Sequence, residues 1–124
     1  MGDAAKRVLI FLTKGLESPI VARSALLHAT ASASMGIDTT LYLAANGTDI
    51  AHRDAWQKEQ VAPGKPTLKQ RLDEASQASV KFMVCSQSMA VKGIAPTDLI
   101  EGAKVSGAAT LVELALEYDT VISF

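Results

Sequence analysis

Apolar residues in this chain fall into short unbroken runs. Between the runs they recur every three or four positions. The first run, "RVLIFLT" (residues 7–13), is continuous and rich in β-favouring types, which predicts a strand buried on both faces. Ser18-Pro19 then marks a helix start, with Ser as N-cap and Pro at the first helical position. That helix is expected to run to about Met35, with Gly36 as its stop and Ile20, Ala25, Leu27, Ala31 and Met35 on its inner face. "DTTLYLAA" (38–45) predicts a second strand. Residues 46–66 are polar and punctuated by Gly and Pro, and predict a long loop with one short helical turn around Ala55. "TLKQRLDEASQAS" (67–79) predicts a helix. Thr67 and Gln70 fit a capping box, and Leu68, Leu72, Ala75 and Ser79 form its inner face. "VKFMVC" (80–85) reads as the third strand. A short helix from Thr97 follows, then a very short strand over 104–106. The helix "GAATLVELALEYD" and a last strand, "TVISF" (120–124), close the pattern.

Apolar strands alternating with amphipathic helices predict a parallel sheet covered on both faces, because each parallel crossover needs a helix to return the chain. The expected architecture is one α/β domain over residues 1–124. Its sheet has five mostly parallel strands in the flavodoxin-like order 2-1-3-4-5. Ligands in such sheets bind beyond the carboxyl ends of the strands, where the winding reverses. In this order that place lies between strand 1, ending at Thr13-Lys14-Gly15, and strand 3, ending at Cys85-Ser86.

Composition narrows the function classes. Hydrophobic residues make up 48% of the 124 residues and mean hydropathy is +0.19. That is slightly apolar for a lone soluble domain and hints at buried contacts between subunits. The net charge of −1 and 5% aromatics argue against electrostatic capture of nucleic acid and against base stacking. No window approaches the ~20 apolar residues that cross a bilayer. The N-terminal stretch lacks a proper signal-peptide h-region, and Lys6 stands where a myristoylation signal needs Ser or Thr. A lone cysteine cannot form an internal disulfide. The expectation is a cytoplasmic protein.

Candidate chemistry centres on that cysteine, Cys85. It closes a strand, where amides of the following segment would point at its sulfur and favour the thiolate. Set against this, free cysteines commonly pack as small hydrophobes. No C-x-x-C is present, so a dithiol mechanism is excluded. "CSQSMAVKG" offers Lys92 but no arginine to close an anion-binding loop of the phosphatase or rhodanese kind. His28 reads as a surface or packing residue of the first helix, whereas His52, on the long loop, can reach the pocket. Cys85, His28 and His52 match no compact zinc motif. The turn after strand 1 lacks acidic residues, G-x-G-x-x-G and a P-loop. No cofactor and no metal are called for. The long loop reads as a lid, a binding segment or plain surface, and Trp56 within it as an anchor.

"KFMVCSQSMAVKGI" and "DLIEGAKVSGAATLVELALEYDTVISF", with "RVLIFLTKG" and "TTLYLAANGT" before them, resemble the DsrE/DsrF-like family of small sulfur-relay proteins over nearly the whole chain. The resemblance implies the five-stranded α/β fold, assembly into homo-trimers or homo-hexamers, and a persulfide carried on Cys85. It also implies exchange with a TusA-like carrier protein or a small sulfur-compound donor. Ser86, Gln87, Ser88, Lys14, Asn46 and His52 are the expected substrate-binding residues around Cys85. Two other readings stay open: a single-cysteine redox sensor or peroxidase-like protein, and a non-catalytic oligomeric binding module with a packed Cys85.

Overall fold

The computed structural model describes all residues except 1–5, Gln60 and Ala62, and excepting the side chains of Trp56 and Lys58. The anchoring role expected of the Trp56 side chain therefore lies outside the described residues. Five strands, β1 (Arg7–Leu12), β2 (Asp38–Leu43), β3 (Lys81–Cys85), β4 (Lys104–Ser106) and β5 (Thr120–Ser123), form one sheet. Every pairing is parallel. Four α-helices connect them: α1 (Pro19–Ser34), α2 (Leu68–Gln77), α3 (Ser86–Lys92) and α4 (Ala108–Glu117).

The strand order is β4-β3-β2-β1-β5, which corrects the expected 2-1-3-4-5. The cause is the burial of β2. Residues 39–43 of β2 are all buried, and a strand buried on both faces belongs inside a sheet, whereas the expected order puts it at an edge. It lies between β1 and β3. The exposed strands β4 and β5 take the edges.

The order also assigns the helices to faces. The chain steps from β1 through β2 and β3 to β4 in one direction, so right-handed crossovers put α1, α2 and α3 on one face. The last crossover returns across the sheet to β5, which puts α4 alone on the other face. The packing agrees. Ile10, Leu12, Leu41, Leu43, Phe82 and Val84 meet Ala22, Ala25, Leu26 and Ala29 of α1, Leu68, Leu72 and Ala75 of α2 and Met89 of α3. On the opposite face Leu9, Tyr42, Ala44 and Cys85 meet Leu111, Leu114 and Tyr118.

Local expectations are corrected at four places. The buried stripe of α1 is Ala22, Ala25, Leu26 and Ala29, while Ile20 (76% exposed), Leu27 and Met35 point outward. Small alanines let this helix lie close to the sheet. Ser18 occupies the N-cap without a side-chain cap bond. The capping box of Thr67 and Gln70 is formed, but Ser79 is exposed, with φ +72°, where the helix has already ended. The predicted helix from Thr97 is only a 3-10 turn, Pro96–Asp98, and the helix of that crossover is α3.

The long loop is more ordered than its composition suggests. It begins with a 3-10 helix, Ala45–Ala51, whose Gly47, Thr48, Ile50 and Ala51 are buried. A second 3-10 turn spans Ala55–Lys58, where the helical turn was expected. Glu59 ties the loop to two helices: it accepts from Arg23 of α1 at 2.7 Å and from the backbone N–H of Leu68 at the start of α2.

Candidate functional site

Cys85 is the last residue of β3 and the N-cap of α3. Its neighbour across the sheet is Ser106, the last residue of β4. From these adjacent strand ends the chain leaves to opposite faces, α3 joining the cluster under α1 and α2, and α4 covering the other side. Cys85 therefore does lie where outgoing connections diverge, but between β3 and β4 and not between strands 1 and 3.

Cys85 is 8% exposed and belongs to the α4-side cluster with Leu9, Tyr42 and Ala44. Its Sγ–H donates to Gln87 Oε1 at 3.4 Å, and the Ser86 hydroxyl donates to the same oxygen at 3.3 Å. Burial is the largest influence on the thiol and pushes its pKa up. Hydrogen bonds from the Ser88 hydroxyl, the Ser88 and Gln87 N–H groups and the Tyr42 hydroxyl outweigh it, and the pKa falls below the ordinary thiol value. The Ser88 oxygen accepts the Ala45 N–H at 2.8 Å, which leaves its own proton for the sulfur.

Tyr42, which pattern reading of the sequence missed, stands beside this sulfur. It is fully buried. Its hydroxyl donates to the Gly107 carbonyl at 3.0 Å, lies 3.4 Å from the Ser106 carbonyl, and accepts from the Ser106 hydroxyl at 3.3 Å. Burial raises its pKa first, and the neighbouring Cys85 raises it further against the opposing Ser106 bond. The phenol thus keeps its proton and serves as a donor. One signal was available: Thr40 and Tyr42 alternate as polar-headed residues on one face of the strand, while Leu41 and Leu43 occupy the other.

Ser86, Gln87 and Ser88 are at the site. Asn46 is beside it, lining a depression of about 370 Å³ with Ala45, Gln87, Ser88, Val91 and Lys92. Its amide is engaged, accepting from Lys92 Nζ at 3.0 Å and donating to Glu17 at 3.2 Å, while Lys92 also pairs with Asp49 at 3.0 Å. Lys14 is exposed beyond β1, two strands from β3, where its charge acts on Glu17. His52 bridges to Leu99, and its Nδ1 accepts the Asp54 N–H at 3.1 Å. His28 bonds within α1 and packs on Phe124. Among the described residues, no group of three or more His, Cys, Asp or Glu side chains is placed to hold a metal ion, and no helix is long and apolar enough to cross a membrane.

Comparison with known proteins bears on this arrangement. The model of the DsrE/DsrF-like family matches residues 6–124. An uncharacterised protein of Methanocaldococcus jannaschii is 31% identical over 103 residues, covering 83% of this chain and 86% of that protein. Among solved structures, the ychN protein from E. coli superposes with a TM-score of 0.78 at 20% identity, over 98% of this chain and 100% of that one. A protein of unknown function from Methanobacterium thermoautotrophicum gives 0.67 at 19% identity, over 96% and 99%. At these identities the superpositions speak to the fold alone.

Proposed function

We propose, from the premise that this chain belongs to the DsrE/DsrF-like family, that it carries sulfane sulfur on Cys85 and passes it to another thiol. The observation that supports this most is the set of donors around one sulfur: two amides, the Ser88 hydroxyl and the Tyr42 hydroxyl, which together hold the thiol below its ordinary pKa. A packed structural cysteine has no use for such a set. The thiolate is the nucleophile, and its lone pair attacks the outer sulfur of a donor persulfide, polysulfide or thiosulfate. A Cys85 S–S bond forms as the donor's S–S bond breaks, and the donor leaves as a thiolate, a shortened polysulfide or sulfite. An acceptor thiolate then attacks the outer sulfur and regenerates the Cys85 thiolate. No net oxidant is needed, because the sulfane sulfur keeps its oxidation state.

Ser86, Gln87 and Ser88 are the substrate-facing donors in this reading, with Asn46 on the approach. Lys14 and His52 take no part in it. The partner is a TusA-like sulfur carrier or a small sulfur compound, the compartment is a reducing one such as the cytoplasm, and the working form is a homo-trimer or homo-hexamer. The test is intact-protein mass after incubation with thiosulfate, tetrathionate or polysulfide, for the wild type and Cys85→Ser. A reducible sulfur or thiosulfonate adduct on the wild type alone is expected. No adduct, with Cys85 also inert to alkylation until the protein unfolds, would leave a packed cysteine and end the carrier reading. Rapid conversion by peroxide to a sulfenic acid, without stable sulfur loading, would favour a redox sensor instead.

A further inference from the structure

The geometry around β3 gives Tyr42 a role of its own. Tyr42 is on β2, yet its hydroxyl reaches Ser106 and Gly107 at the end of β4. β3 lies between these strands. With strands ~4.8 Å apart, the ring must cross the whole width of β3 on the α4 face. It does so beside the end of β3, where Cys85 sits next to Ser106 and packs in one buried cluster with Tyr42.

We propose that Tyr42 is a positioning residue for reactions at Cys85, its phenolic O–H donating to the cysteine sulfur while Ser106 holds the phenol in place. The assignment rests on the sulfur-carrier reading for its purpose, but its physical content concerns only the thiol. The Ser106 hydroxyl donates into the phenol oxygen, so the phenol's single proton is left for an acceptor. With a neutral thiol that acceptor is the Gly107 carbonyl at 3.0 Å. When Cys85 becomes a thiolate, or the terminal sulfur of a persulfide carries the charge, the anion is the stronger acceptor. The proton then turns toward it. The lowered Cys85 pKa, with the Tyr42 bond among its causes, agrees with this.

Among the described residues, no charged side chain is a donor to this sulfur. Lys81 on β3, Lys92 on α3, Lys104 on β4, and Glu113 and Glu117 on α4 are exposed, and the half-buried Arg7 of β1 is engaged by Glu117 and Tyr118. Lys81 is paired with Asp38, and Lys92 with Asp49. The remaining donors to the sulfur are the uncharged groups of Gln87 and Ser88.

The experiment is the pH dependence of Cys85 alkylation by iodoacetamide in the folded wild type, Tyr42→Phe and Ser106→Ala. Tyr42→Phe keeps the ring and removes the donor. Its alkylation midpoint is expected to rise by about one pH unit, the worth of one hydrogen bond to a charged group. The high-pH plateau rate should be retained or slightly raised, since a more basic thiolate is more nucleophilic. Ser106→Ala is expected to shift the midpoint the same way by less. A folded Tyr42→Phe with the wild-type midpoint would overturn the proposal. If Tyr42→Phe does not fold, Ser106→Ala decides: an upward shift supports the role and an unmoved midpoint removes it. Because alkylation reads ionisation and the mass experiment reads sulfur loading, failure of one reading is distinguishable from failure of the other.

Discussion

At the residue scale, the site is a competition between burial and hydrogen bonding at one sulfur, and hydrogen bonding prevails. The sign of the pH effect follows. The folded state holds the Cys85 proton less tightly than the unfolded chain does. Between the lowered folded pKa and the ordinary thiol value the unfolded state therefore binds more protons, and stability rises with pH across that window. Below the folded pKa the contribution is absent. Cys85→Ser should flatten this segment of the stability curve, which denaturant titrations at several pH values would read. A Cys85→Ser curve as steep as that of the wild type would mean that another group supplies the slope. Cys85 with Ser86, Gln87 and Ser88 was legible in the sequence because the four are consecutive and close a strand. Tyr42 was not, because its approach depends on β2 lying beside β3, 43 residues away by the hydrogen bond that links Ala45 to Ser88. Lys14 was drawn in by the opposite error, since the expected strand order put strand 1 beside strand 3.

At the element scale, periodicity located most elements but misjudged what packs. In α1 the large side chains looked like the core face, and the alanines took that place. The seven-residue helix α3 escaped notice because it opens on Ser-Gln-Ser, which reads as loop. The capping box at Thr67 was legible, since its chemistry is local. Thr67→Ala should lower stability by about 1 kcal/mol, read by urea denaturation. The dipeptide Asn46-Gly47 looked like an ordinary turn, yet Gly47 is buried against β1. A Cβ there would collide with the Leu12 carbonyl, as one on Gly15 would with the Asn46 carbonyl. Gly47→Ala is therefore expected to lower stability by about 1–3 kcal/mol and to disturb the strand end supporting Ala45 and Ser88. An unchanged urea midpoint would show that the segment moves aside freely.

At the scale of the whole molecule, the α/β class and the five strands were legible from the alternation of runs and helical stretches. The order of strands was not, because it depends on how completely β2 is buried, and one-dimensional patterning does not rank strands by burial. The two faces are unequally covered. Helices α1, α2 and α3 share one side, while α4 stands alone on the other with Val112 and Leu116 (82% exposed) outward, and the exposed Val121 of the edge strand β5, in register with Leu9, is on the same side. In the proposed oligomer this surface is a natural contact. Leu116→Lys should lower the assembled fraction seen by analytical ultracentrifugation without changing the secondary structure, and an unaltered sedimentation profile would exclude the α4 face from assembly.

The pairing of β1 with β5, in which Val8 lies opposite Thr120, also sets an order in time. During synthesis β1, β2 and β3 emerge with α1, α2 and α3, and one face of the sheet can close while the chain is still growing. The face that carries Tyr42 and Cys85 must wait for α4, and α4 is secured only when β5 reaches back to the first strand. The newborn protein is therefore expected to pass through a stage in which the Cys85 sulfur lacks its α4 cover. A chain truncated before residue 108 and held clear of the ribosome on a long linker should be alkylated at Cys85 much faster than the finished protein.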